Sequence, residues 1–135
     1  MNRLSFILQA KTQYNIQSPF LFDLYNNVII PKVGKNLLHG SGIKNTDKVD
    51  QMLFKLMDHY GAVYVKEKKM NVDYELVYND GAHIGLMVKP HKSIDREKEW
   101  ARLVKEQIVT LSVDLFDIGL VFTSPKLSKQ HWLLR

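Results

Sequence analysis

Cysteine is absent from the 135 residues. That excludes a disulfide framework, a thiolate metal site and a cysteine nucleophile. No apolar run approaches the ~18 residues of a membrane-spanning helix. The apolar stretch Leu4 to Leu8 near the start is shorter than the core of a signal peptide, so a cytoplasmic protein is expected. No G-x-S-x-G elbow and no P-loop motif occurs. No two of the histidines His39, His59, His83, His91 and His131 stand at the i, i+4 spacing of a helical zinc site.

What is present is ordinary for a globular chain: 45% hydrophobic and 24% charged residues. One domain spanning 1–135 is expected at this length, with a helical part over 1–60 and a sheet over 61–135. Nineteen basic against fourteen acidic residues give a net charge of +5. The excess is spread: residues 1–60 hold seven basic and four acidic side chains, residues 61–135 twelve and ten. Nucleic-acid binders concentrate such charge. The one dense run, Lys66-Glu67-Lys68-Lys69, is broken by its glutamate and reads first as a solvated loop, so a nucleic-acid partner is disfavoured.

Periodicity divides the chain at Gly61. Before it the apolar spacing is helical. Residues 3–10 carry Leu4, Ile7 and Leu8 on one face. Ser18-Pro19 starts a helix bearing Phe20, Leu21, Leu24, Tyr25 and Val28, which Pro31 stops. Residues 31–45 form a loop with Gly40-Ser41-Gly42, either a flexible turn or a phosphate-approaching loop. A second long helix starts near Asn45 to Asp47, and Gly61 takes its left-handed C-terminal cap. Its stripe is Val49, Met52, Leu53, Leu56, Met57 and Tyr60. After Gly61 the period is strand-like. Ala62 to Val65, Tyr74 to Tyr78, Ile84 to Val88, Ile108 to Leu115 and Ile118 to Thr123 read as strands. Ser93 caps a helix through about Glu106. His131 to Leu134 is a candidate short edge strand beyond those five.

The most informative short segment is Asp80-Gly81-Ala82-His83. It admits two readings: an acid and an imidazole projecting over a sheet edge, or a turn between strands, for which Asn79-Asp80-Gly81 is good chemistry. His83 and His91 each follow a strand or sit at its end, where α/β sheets place ligands, and each is either a general base or hydrogen-bond donor or a surface histidine making a local backbone bond.

Several blocks together resemble a family. Tyr14-Asn15-Ile16-Gln17-Ser18-Pro19-Phe20-Leu21-Phe22-Asp23 is similar to an N-terminal signature of class I S-adenosylmethionine (SAM)-dependent methyltransferases of Bacteroidetes type. Tyr74 to His83 resembles that family's fourth strand, which ends in "I-D-G-x-H". Val109 to Phe122 resembles its closing hairpin, and Lys129 to Arg135 its usual ending. Gln17 stands where the family usually has His. The resemblance implies a shortened form. Ala62 to Val65 runs into Lys66-Glu67-Lys68-Lys69-Met70, with no glycine-rich cofactor loop, no ribose-binding acid and no third strand between it and the fourth-strand block. Lys89-Pro90-His91 stands where related enzymes carry metal-holding acids, so no metal is expected.

The implied fold is α/β: a reduced Rossmann-like sheet of about five strands, in the family order 1-4-5-7-6, with antiparallel C-terminal strands, N-terminal helices and strand 1 at an edge. The implied activity is that of a SAM-dependent methyltransferase-family protein with reduced or no methyl transfer. The implied cofactor is SAM, with Asp80, Gly81 and His83 as its residual contacts; no catalytic residue is assigned. The alternative is a non-catalytic interaction module that pairs through an exposed edge strand, as a homodimer for instance.

Overall fold

A computed structural model describes residues 1–10, 19–31, 47–79 and 81–134. They fall into two compact units, Met1–Thr12 with Val63–Arg135, and Gln13–Ala62.

The smaller unit is helical. Helix α2 covers Pro19–Leu24 and passes into a wider π-helical turn, Tyr25–Ile29, so that Leu21, Leu24, Tyr25 and Val28 are all buried. The Lys55 ammonium donates to the carbonyls of Ile29 and Pro31 at 3.4 and 3.1 Å, and burial pulls its pKa below the ordinary value. Helix α3, Lys48–Tyr60, starts where Asp47 Oδ1 accepts from the amides of Val49 and Asp50. It ends at Gly61, whose φ of 67° is the left-handed cap expected there. Met52, Leu53 and Leu56 are buried. The Phe20 and Tyr60 rings stack at 5.7 Å, and His59 bonds Asp23 at 2.8 Å, which lowers the Asp23 pKa. The Gly40-Ser41-Gly42 loop and the start of the N-terminal signature lie outside the described residues.

The larger unit opens with α1, Arg3–Gln9, capped by Asn2. Here the expected buried face is corrected. Phe6 is the buried residue, whereas Leu4 and Leu8 are 69% and 77% exposed. An aromatic ring finds aromatic partners on the sheet unit, and the three aliphatic side chains face away from it.

The sheet has six strands rather than five: β1 Val63–Tyr64, β2 Tyr74–Tyr78, β3 Ala82–Val88, β4 Leu111–Asp114, β5 Ile118–Phe122 and β6 Gln130–Leu133. Their order is β1-β2-β3-β5-β4-β6. Equated with family strands 1, 4, 5, 6 and 7, the first five follow the expected order, and β6 is added outside β4. The directions differ from a doubly wound sheet. Every pair is antiparallel except β4 with β6. Loop length is the reason: three residues separate β2 from β3, and parallel neighbours need a crossover of roughly a dozen residues or more. The chain therefore closes a hairpin, with Asn79 and Gly81 at positive φ.

Strand alternation sorts the residues onto two faces. One carries Leu76, Ile84, Leu86, Leu111, Val113, Leu120 and Phe122, all buried. The other carries Glu75, His83, Gly85, Met87, Ser112, Asp114, Gly119, Val121 and His131. Helix α4, Ile94–Lys105, capped by Ser93, packs its Trp100 and Leu103 into the core on this second face, beside Met70, Val72, Met87, Val109 and Val121. At the far end of α4 the Lys129 ammonium donates to the carbonyls of Val104, Glu106 and Val109 at 2.8, 2.7 and 2.5 Å. It closes the helix by meeting carbonyls that have no partner within it.

Candidate functional site

The residues expected to contact a cofactor are placed in different settings. Asp80 lies outside the described residues. Gly81 is in the β2–β3 turn, with φ 87° and its N–H donating to the Asn79 carbonyl at 2.7 Å. A residue with a Cβ is strained at that φ, so glycine is what the turn requires. Gly81 lines a concavity of about 470 Å³ with Tyr78, Asn79, Ala82, Ser124, Pro125 and Lys126. Burial pushes the Tyr78 phenol above its ordinary pKa. An amide, a hydroxyl and an ammonium on one rim, with proline and alanine carbon beside them, suit a small polar ligand with an anionic group.

His83 does not join that concavity. Its side chain is on the α4 face, where Nδ1 lies 2.7 Å from the Glu75 carboxylate. Glu75 is buried and accepts two further donors, the backbone N–H groups of Lys69 and Met70, at 2.9 to 3.1 Å. These bonds tie the loop before β2 to the sheet, and they account for the buried carboxylate. The ring of His83 thus bonds a buried carboxylate and is not the surface histidine with a local backbone bond that the sequence offered, and Gly81 alone of the described candidates lines the concavity.

His91 is likewise enclosed. Nδ1 is 2.6 Å from Glu97 Oε2 and Nε2 is 2.5 Å from Asp114 Oδ2. Its ring stacks on Phe116 at 5.4 Å. The Glu97 pKa is lowered by its bond to the Met1 ammonium and then by that to His91. Asp114 also accepts from the Phe116 amide, which shapes the β4–β5 turn.

Two features were not drawn from the sequence. The first is Glu75 at an inward position of β2. The second is a pair on neighbouring strands, Ser112 Oγ and His131 Nδ1, 2.7 Å apart. Burial is the main cause of a lowered His131 pKa, opposed by the charge of Asp114 and assisted by that of His91. A signal existed for each: in LSVD a polar residue sits at both positions that alternation sends to one face, and in YELVY Glu75 is the one charged residue of an otherwise apolar and aromatic strand. Deciding that this face is covered required the fold.

Beside His131 runs a second groove, of about 430 Å³, lined by Gln9, Gln130, His131, Trp132 and Leu133. It borders β6, the last strand of the sheet. Gln130 and Leu134 donate their backbone N–H groups to the Thr110 and Asp114 carbonyls, both at 2.9 Å. In a parallel ladder the alternate groups, those of His131 and Leu133, then point away from β4. They have no partner strand among the described residues.

Among the described residues no group of three or more His, Asp or Glu has the geometry to hold a metal ion, and no helix is long and apolar enough to cross a membrane. No family model, curated protein or solved structure matches the chain.

Proposed function

We propose that the protein is an interaction module of methyltransferase-like descent, with reduced or no methyl transfer, that pairs with a second copy of itself along β6. The observation that carries this reading is the outward backbone of His131 and Leu133 on a four-residue terminal strand. An antiparallel two-fold pairing centred on Trp132 sets His131 of each copy opposite Leu133 of the other. Both are outward residues, so each such pair exchanges two hydrogen bonds. The register is self-complementary, as a two-fold interface requires. Lysine at a strand end commonly blocks such pairing. Here Lys129 is turned into the carbonyls that end α4. The opposite edge is less suited: β1 spans two residues, and short edge strands resist strand addition.

The test is the molar mass in solution by light scattering across a concentration series, for the natural chain and for Leu133→Lys. A dimer that Leu133→Lys converts to monomer supports the reading. A monomer at every concentration, or a dimer indifferent to the substitution, refutes it.

A second reading, residual SAM binding, rests on the 470 Å³ concavity at the β2–β3 turn that Gly81 lines. Without a glycine-rich loop or a ribose-binding acid, few charge-assisted bonds remain, each contributing about 1.5–3 kcal/mol. A dissociation constant of 1 μM requires about −8.2 kcal/mol. Binding weaker than about 100 μM, or none, is therefore expected in titration calorimetry with SAM and S-adenosylhomocysteine. Tight one-to-one binding by the monomer would move the function to this concavity.

A further inference from the structure

The run Lys66-Glu67-Lys68-Lys69 is too sparse in charge to mark a nucleic-acid surface by itself. The fold gives it a setting that the sequence did not show. It leaves β1 at one edge of the sheet and returns into β2. Three anchors hold it there. The Glu75 carboxylate accepts from the N–H groups of Lys69 and Met70 at 2.9 to 3.1 Å. Met70 and Val72 are buried in the core beside Trp100. The Lys68 ammonium donates to the Val72 carbonyl at 3.0 Å. Residues 66–69 themselves are exposed.

The neighbouring acids are engaged. Glu75 is buried and bonded to His83 as well as to the two amides. Asp73 pairs with Arg96 and accepts from the Val88 amide at 2.7 Å. Within the run, Lys66, Lys68 and Lys69 against Glu67 leave an excess of two positive charges.

Two aromatic rings lie open at the same edge. Tyr64 is 53% exposed and Tyr74 38%. Tyr64 stands opposite Leu76, so Tyr74 is its diagonal neighbour on the same face, about 7–8 Å away. The pairing continues past β1, where the Val65 N–H donates to the Glu75 carbonyl at 3.3 Å. The next step of that register sets Lys66 across from Tyr74. Among the described residues the Tyr74 side chain has no hydrogen bond and no ring contact.

We propose that the β1–β2 edge binds single-stranded RNA, with one base stacked on each tyrosine ring and the phosphates meeting Lys66, Lys68 and Lys69. Aromatic faces and lysines together are what a single strand offers contacts to: every base has a π-face, and every nucleotide a phosphate. A duplex keeps its base faces covered, so the two rings select the unpaired strand. The Tyr74 hydroxyl, at the rim of its ring, suits the ribose 2′-hydroxyl, which both donates and accepts, and this favours RNA over DNA. The surface is at the opposite edge of the sheet from β6 and stands independently of the pairing there.

The test is fluorescence anisotropy with a labelled oligouridylate of about ten nucleotides, the deoxyuridylate of the same length, and a duplex of that length. The RNA strand should bind the full chain with a dissociation constant of about 1–100 μM, and the other two more weakly. Log affinity should fall with log salt at a slope near −2, about −0.7 for each of three lysines. Lys66→Gln with Lys69→Gln should flatten that slope by about 1.4. Lys98→Gln with Lys105→Gln, an equal charge change on exposed positions of α4, should leave it unchanged. Tyr74→Ala should weaken binding about fivefold or more, and Tyr74→Phe should restore most of the loss. If Tyr74→Ala fails to fold, the lysine pair, in an exposed run, decides. The proposal is overturned by any of four results: no RNA binding at about 100 μM protein, a duplex or deoxyuridylate that binds as tightly as the RNA strand, a folded Tyr74→Ala of natural affinity, or a salt slope that the Lys66 and Lys69 substitutions leave unchanged.

Discussion

Replacing Gly119 by alanine tests the packing of α4 on the sheet at its tightest point. A Cβ there would stand 2.5, 2.6 and 3.0 Å from Trp100 Cζ3, Cη2 and Cε3. Carbon atoms rest at about 3.5–4.0 Å, so the indole must retreat by roughly 1 Å. Trp100 is 5% exposed and lies among Met70, Val72, Met87, Leu103, Val109 and Val121, so the retreat displaces a packed ring and not a free side-chain tip. Overpacking of this kind costs about 1–3 kcal/mol. Against it stands the loss of unfolded-chain freedom on replacing glycine, which favours alanine by about 0.4–1 kcal/mol. The net expectation is a loss of roughly 1–2 kcal/mol, or a Tm lower by roughly 3–8 °C. Denaturant unfolding in a Trp132→Phe background makes Trp100 the sole fluorescent indole and reports stability and ring environment together. Trp100→Phe removes the ring edge that the new methyl meets, so Gly119→Ala should cost less in that background than alone. The reasoning is refuted if Gly119→Ala is as stable as its parent with unchanged Trp100 emission, or if the two substitutions add without coupling.

Glu75→Ala strands the amides of Lys69 and Met70 and the ring of His83, and should lower stability by about 3 kcal/mol or more in chemical unfolding, with Glu75→Gln milder. Lys129→Met leaves three carbonyls at the end of α4 without their ammonium; a loss of about 2 kcal/mol is expected, with amide exchange fastest at Leu103 to Val109. His131, depressed mainly by burial below its ordinary 6.5, contributes stability that is full above that value and is lost as pH falls through it toward the depressed one. Melting curves between pH 7 and pH 5, about the span in which an ordinary histidine titrates, should fall less steeply for His131→Gln than for the natural chain.

The local elements were legible because each is set by a short stretch of chain. Asp47 before the α3 stripe and Gly61 after it fix that helix at both ends. Ser93 starts α4, and Tyr74 to Tyr78 is a strand with the bounds its branched and aromatic residues imply. The order of the first five strands is the one expected, but their directions followed from something more elementary. Three residues between β2 and β3 leave room for a turn and not for a crossover. The chemistry was the least legible part. Asp80-Gly81-Ala82-His83 is contiguous, yet alternation sends His83 to the α4 face, where Glu75 claims it. His91, Glu97 and Asp114 are far apart in the chain and meet only because α4 and β4 flank the same loop. The same holds for α1, whose periodicity favours Leu4, Ile7 and Leu8. Which face of a seven-residue helix is buried depends on what it lands on, and here Phe6 lands on His91 and Phe116. Caps, turns and strand periods are decided by neighbours within a few residues. Pairing of charges and the choice of a buried face are decided by groups that only the folded chain brings together.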